Sequence, residues 1–159
     1  MRQVEGRSEM VGAAADLIVF AFDGSDLAKA AIAEAARQLR PGRQALVLTV
    51  WQPYNVGFTP PRAIKMDAAA VDEVRAAAEE TAAQGASLAQ AQGFEARGIA
   101  REAAPTWKGI VEVADEQDST LIVLGSHGRS RLADVLIGSV AQAVGAHSRR
   151  PVLVVHRGE

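Results

Sequence analysis

"LIVLGSHGRSRLADVLIGSV", residues 121–140, runs from four apolar strand formers into a glycine-rich turn and leaves it through glycine-serine into an apolar helix. Leu121, Ile122, Val123 and Leu124 follow one another with no polar alternation, which suits a parallel strand covered on both faces. Gly125 ends the run. Gly138-Ser139 then opens a helix whose first amides and dipole favour negative charge. A strand, a glycine loop and a helix N-terminus in that order make an anion-collecting turn.

The segments on either side repeat this alternation. Downstream, "SVAQAVGAHS" (139–148) reads as a helix, Pro151 blocks its continuation, and "VLVVH" (152–156) reads as a strand. At the other end of the chain, "DLIVFAF" (16–22) is an apolar strand followed by "DGSD", a turn with several helix caps to choose from. From Asp26 to Arg40 the stripe Leu27, Ala30, Ala31, Ala35, Leu39 predicts a helix that Pro41-Gly42 stops. "QALVLTVW" (44–51) is the second strand, and "QPYNVGFTPPR" (52–62) is a long surface loop. Residues 63 to about 92, rich in alanine, glutamate and glutamine, predict one long helix with a possible break at Gly85. "GFEARGIA" (93–100) alternates as a third strand, and "PTWKGIVEVADEQ" carries a third helix starting near Pro105, with the residues before the proline better caps than Thr106.

Strands alternating with helices predict an α/β fold: a doubly wound, five-stranded, mainly parallel sheet with helices on both faces and right-handed crossovers. Ligands settle at the carboxyl ends of such strands where the winding reverses, which directs attention to the loops after strands one and four. A chain of 159 residues is read as one domain over 16–159, with 1–15 a polar arm or expression remnant. The absence of cysteine excludes disulfides and thiolate metal sites, and three scattered histidines give no metal cage. A net charge of -2 with dispersed lysines and arginines excludes a nucleic-acid partner. No stretch resembles a signal peptide or approaches the roughly 18 apolar residues of a membrane span, so a cytoplasmic location without membrane association is expected.

In the loop of 125–139, Gly125 and Gly128 leave room for main-chain amides to approach phosphate, and Ser139 adds a hydroxyl donor. Arg129 and Arg131 either add charge to a phosphate or stand in water. No GK[ST] follows, so this is not a Walker loop, and the GxGxxG fingerprint is absent. His127 has no evident orienting partner and is read as packing the loop, so no catalytic residue is assigned. Asp23 taken alone is either a cap or a ligand contact. Trp51 and Trp107 are read as core or rim residues, with stacking on a planar ligand as the alternative, and His147 and His156 as surface or interface residues.

Gly125, Gly128, Gly138 and Ser139 fill every fixed position of the motif G-x2-G-x9-G-[S/T], and with "LIVFAFDGS" and "PVLVVH" the chain resembles the universal stress proteins, in their ATP-binding branch, over roughly residues 15–157. The resemblance implies ATP as ligand, its phosphates at Gly125, Gly128, Gly138, Ser139 and the amide of Val140, with Ser126 and Arg129 of the same loop in the candidate set. It places Asp23 against ribose and adenine, and the backbone of Val50 against the adenine edge. Any Mg²⁺ would be held mainly by phosphates and water. The resemblance also implies a homodimer paired through the last strand and a nucleotide-dependent role toward an unidentified protein partner. The alternatives are a slow ATPase or nucleotidyl-transfer enzyme, a cyclic AMP binder and a ligand-free interaction module.

Overall fold

A computed structural model describes residues 16–53, 67–128 and 137–156. The elements run β1 (Leu17–Ala21), α1 (Asp26–Gln38), β2 (Gln44–Trp51), α2 (Ala68–Ala91), β3 (Glu95–Glu102), α3 (Thr106–Glu116), β4 (Leu121–Gly125), α4 (Ser139–His147) and β5 (Val152–Val155). The five strands lie in the order β3-β2-β1-β4-β5, and every pairing is parallel. The chain winds outward from β1 to β3, then crosses back to β4 and continues to β5. The reversal therefore falls between β1 and β4.

The period-two alternation of each strand divides the core between the two faces. Ile18, Phe20, Val47 and Val123 pack toward α1 and α2 with Ile32, Ala86 and Phe94. Val19, Leu46, Leu48, Ile122 and Leu124 pack toward α3 and α4 with Ile110, Val113 and Val144. At the register position of Val19, β1 meets Leu46 on one side and Ile122 on the other. With helices over both faces the central strands have no polar side to show, which is why they read as continuous apolar runs.

Several details differ from the sequence reading, and residues 63–66 of the expected long helix lie outside the described residues. Helix α1 stops at Gln38 rather than Arg40: Leu39 is already extended (φ -111, ψ 155), and Pro41 disfavours helix at Arg40, the residue before it. Strand β3 begins at Glu95, because Gly93 (φ +96) is still turning, and it continues to Glu102 in register with Trp51. Helix α2 runs through Gly85 without a break. A methyl group there would stand 2.7 Å from both Phe22 Cδ1 and Val47 Cγ1, so the glycine serves close approach of helix to sheet. Gly98 on β3 meets the same helix, where a methyl would lie 2.5 Å from the Ala82 carbonyl oxygen.

At the amino end of the sheet, Asp16 accepts from Arg43 Nη2 and from the Thr120 hydroxyl at 3.0 Å, tying β1, β2 and β4 together. Among the described residues, no helix is long and apolar enough to cross a membrane.

Candidate functional site

A cavity of about 650 Å³ opens at the carboxyl end of the sheet, over the reversal between β1 and β4. That volume lies within the roughly 300–1,000 Å³ of small-molecule sites. Asp23, Val50, Gly125, Ser126, Gly128, Gly138, Ser139 and Val140 all line it. The structure thus brings together eight of the nine residues singled out from the sequence. The ninth, Arg129, lies outside the described residues, as do Arg131 and the loop residues Tyr54, Asn55 and Phe58.

Strand pairing explains what Val50 offers. Residues Leu48 and Val50 direct their backbone groups to the same side of β2, two residues apart. The Leu48 carbonyl accepts from Phe22 N–H at 2.8 Å, but β1 ends at Ala21, so at Val50 that side of the strand faces the cavity. Trp51 points its backbone the other way and bonds Ala103 N–H at 3.1 Å. An exposed N–H and C=O pair on a strand extending past its neighbour can bind the edge of a planar heterocycle.

Asp23 follows the end of β1 and is only half buried. It is not the cap of α1: that position belongs to Ser25, whose Oγ accepts from Ala28 N–H at 3.2 Å. Asp23 Oδ1 instead accepts from Ser25 N–H at 2.9 Å, so its carboxylate is held in place beside the cavity.

The β4 loop is fastened at both ends. Ser126 N–H donates to the Val155 carbonyl at 2.8 Å, and Gly138 N–H donates to the Ser126 carbonyl at 2.6 Å. A methyl on Gly138 would meet that same carbonyl oxygen at 3.0 Å, and one on Gly125 would meet Leu27 Cγ at 2.9 Å. Gly138 thus leaves room for the backbone of the turn, and Gly125 for Leu27 of α1. Ser126 Oγ and His127 Nδ1 share a hydrogen bond at 3.0 Å, giving the histidine an orienting neighbour that its sequence context does not reveal.

Helices α1 and α2 begin with side-chain caps, Ser25 and Asp67. The two helices on the cavity side do not: α3 starts after Pro105 and α4 after Gly138, each without a side-chain cap hydrogen bond. The first turn of α4 thus lines the cavity with no side-chain cap among the described residues, in a dipole field that favours an anion. Around the rest of the cavity the walls are mainly aliphatic: Ala21, Leu48, Ile110, Leu124 and Ile137.

Neither tryptophan lines the cavity. Trp51 is buried beneath the guanidinium of Arg75, 5.6 Å from its ring centroid, and Trp107 stacks on His147 at 4.2 Å. Thr106, Ile110 and Gln142 belong to the cavity and were missed in the sequence. Thr106 had a usable signal: it opens the helix after β3, and such openings gather at the carboxyl edge of the sheet. Among the described residues, no group of three or more histidines and carboxylates is placed to hold a metal.

Comparison with known proteins gives a consistent answer. The model of the universal stress protein family matches residues 15–156. A universal stress protein of Thermus aquaticus is 30% identical over 148 residues, covering 87% of this chain and 96% of that one. Two from Methanocaldococcus jannaschii are 44% identical over only 48 residues, which span 30% and 28% of their own lengths. Among solved structures, the M. jannaschii protein MJ0577 superposes with a TM-score of 0.74 at 24% identity, covering 91% of this chain and 98% of that one. An Archaeoglobus fulgidus universal stress protein in complex with dAMP gives 0.60 at 25% identity, with 87% and 94% covered. A universal stress protein in complex with cAMP gives 0.58 at 26%, with 90% and 98% covered.

Proposed function

The chain belongs to the universal stress protein family, and from that premise we propose that it binds an adenine nucleotide, ATP first among them, in the cavity over the β1–β4 reversal. Its role is that of a stress-response regulator in the cytoplasm whose nucleotide occupancy alters its contacts with a protein partner. Residues 16–159 act as one domain.

The observation that carries this reading is that one cavity is lined both by the start of α4, which has no side-chain cap hydrogen bond, and by Val50 of β2, beyond the end of β1. The first suits phosphate and the second a purine edge, and Asp23, which lines the same cavity, takes the sugar. In this arrangement Gly125, Ser126, Gly138, Ser139 and Val140 receive the phosphates, and Arg129 of the same loop adds charge to them. Aliphatic walls exclude water from the base. A Mg²⁺ ion bound with ATP would take its ligands from the phosphates and water and would neutralise phosphate charge. The relatives solved with dAMP and cAMP support a nucleotide of this class and make both compounds necessary competitors in any test.

The two sheet edges support a homodimer through β5. Edge strand β3 bears Glu95, Arg97, Arg101 and Glu102, charges that resist strand addition. Edge strand β5 presents Val152, Leu153 and Val154, all partly exposed, beside a groove bounded by Glu34, Arg37 and Gln38 of α1. An apolar open edge of this kind calls for a covering partner, and a second copy supplies a self-complementary one.

The deciding experiment is to purify the chain without added nucleotide, denature it and identify released small molecules by mass spectrometry. ATP, ADP, AMP, dAMP and cAMP are then titrated into the emptied protein. Co-purified ATP, or micromolar binding of ATP ahead of the others, is expected. Absence of binding by every adenine nucleotide refutes the reading.

A further inference from the structure

Gly128 stands in the glycine motif and, from sequence, reads as space for a phosphate. Its surroundings assign it a different duty. A methyl group on Gly128 would lie 2.7 Å from Asp23 Oδ2, and among the described residues the next atom within 4 Å is Cγ of the same carboxylate, at 3.9 Å. The volume a side chain would need is therefore occupied by Asp23. The other carboxylate oxygen, Oδ1, is engaged with Ser25 N–H at 2.9 Å. One carboxylate thus spans from the loop after β1 to the turn after β4, across the reversal of the sheet.

We infer that Gly128 is a positioning residue for Asp23: its missing side chain lets that carboxylate stand between the two loops and face the cavity. The inference rests on the proposal that Asp23 contacts the adenosine part of a nucleotide. Gly125 and Gly138 differ, since an added methyl would press on Leu27 and on the Ser126 backbone and disturb the turn. At Gly128 the backbone is outside the left-handed region, where Gly24, Gly42 and Gly93 lie. Alanine is therefore tolerated by the main chain. What yields is the carboxylate, which swings away and surrenders Ser25 N–H.

The test is a double-mutant cycle of Gly128→Ala and Asp23→Ala, read by calorimetric titration with ATP, adenosine and inorganic tripolyphosphate. Gly128→Ala is expected to weaken ATP and adenosine by the same factor, roughly tenfold to hundredfold as for loss of a hydrogen bond to a charged group. Tripolyphosphate should change by less than about twofold, within the scatter of independent sites. In the Asp23→Ala background the second substitution should add nothing. A loss confined to ATP and tripolyphosphate, or losses that add across the cycle, overturns the inference.

A ligand-independent arm uses urea unfolding of the same four proteins. Gly128→Ala should destabilise the chain only when Asp23 is present, and equal effects in both backgrounds overturn the positioning role. A parent protein that binds neither ATP nor adenosine overturns the nucleotide reading, while the unfolding cycle still decides whether Gly128 sets the place of Asp23.

Discussion

Replacing Gly85 and Gly145 by alanine makes the same chemical change in two helices and should move stability in opposite directions. In a helix interior, alanine is favoured over glycine by about 1 kcal/mol. At Gly145, in the exposed last turn of α4, nothing lies within 4 Å of the added methyl, so up to that amount is gained. At Gly85 the methyl would stand 2.7 Å from Phe22 Cδ1 and Val47 Cγ1, roughly 1 Å inside ordinary carbon contact. Phe22 is 3% exposed and Val47 fully buried, so neither side chain can swing aside into solvent. Overpacking of this kind costs about 1–3 kcal/mol, which outweighs the propensity gain and leaves a net loss of about 0–2 kcal/mol. In urea, with a slope of about 1–3 kcal/mol/M, the two midpoints should separate by roughly 1 M with slopes unchanged. Phe22 also lines the cavity and directly precedes Asp23, so Gly85→Ala should weaken ATP binding whereas Gly145→Ala leaves it intact. Equal stabilisation by both variants would refute the close seating of α2 on the sheet.

Ser139→Ala should weaken ATP and tripolyphosphate alike, by about tenfold, and spare adenosine; calorimetry with the three ligands checks this. Leu153→Lys should place charge on the β5 edge and convert a dimer to monomer in sedimentation velocity, and a parent already monomeric at tens of micromolar contradicts the pairing. Ser119 Oγ is fully buried with no hydrogen-bond partner among the described residues, so Ser119→Ala should be neutral or raise the urea midpoint. Asp16 sits below its ordinary value of 3.8: burial pushes it up, and the Thr120 hydroxyl and Arg43 guanidinium outweigh that. A depressed carboxylate stabilises the fold above its unfolded value and loses this as pH falls through its folded one. The stability gap between the parent and Asp16→Asn should therefore be constant above about pH 5 and close below about pH 4.

What was legible in the sequence is what local pattern controls. Apolar runs gave β2 to the residue, and glycine-serine at 138–139 gave the start of α4. The motif spacing and the strand-one aspartate located the cavity because parallel winding brings the ends of β1 and β4 together. What stayed hidden depends on contacts between distant segments. Gly85 looks like a helix breaker until Phe22 and Val47 are seen against it. Gly128 looks like phosphate room until Asp23, from the other end of the chain, is found in that space. The partner of His127 is its immediate neighbour Ser126, yet only the bend of the turn sets their ring-to-hydroxyl distance.

The central position of β1 has a consequence for how the chain comes into being. Val19 is paired on one side with Leu46 and on the other with Ile122, so its two neighbours emerge at very different times during synthesis. At ~5–20 residues per second, the strand waits roughly 4–15 s between its first partner and its second. Throughout that interval the nascent sheet, two strands at first and three once β3 has emerged, exposes the open edge of β1, with the apolar face that α3 and α4 will cover still bare. The ligand cavity, built from both sides of that edge, is assembled only after α3 has crossed back, which makes it among the last features to form and exposes the growing chain to capture by holdases before any nucleotide can help it.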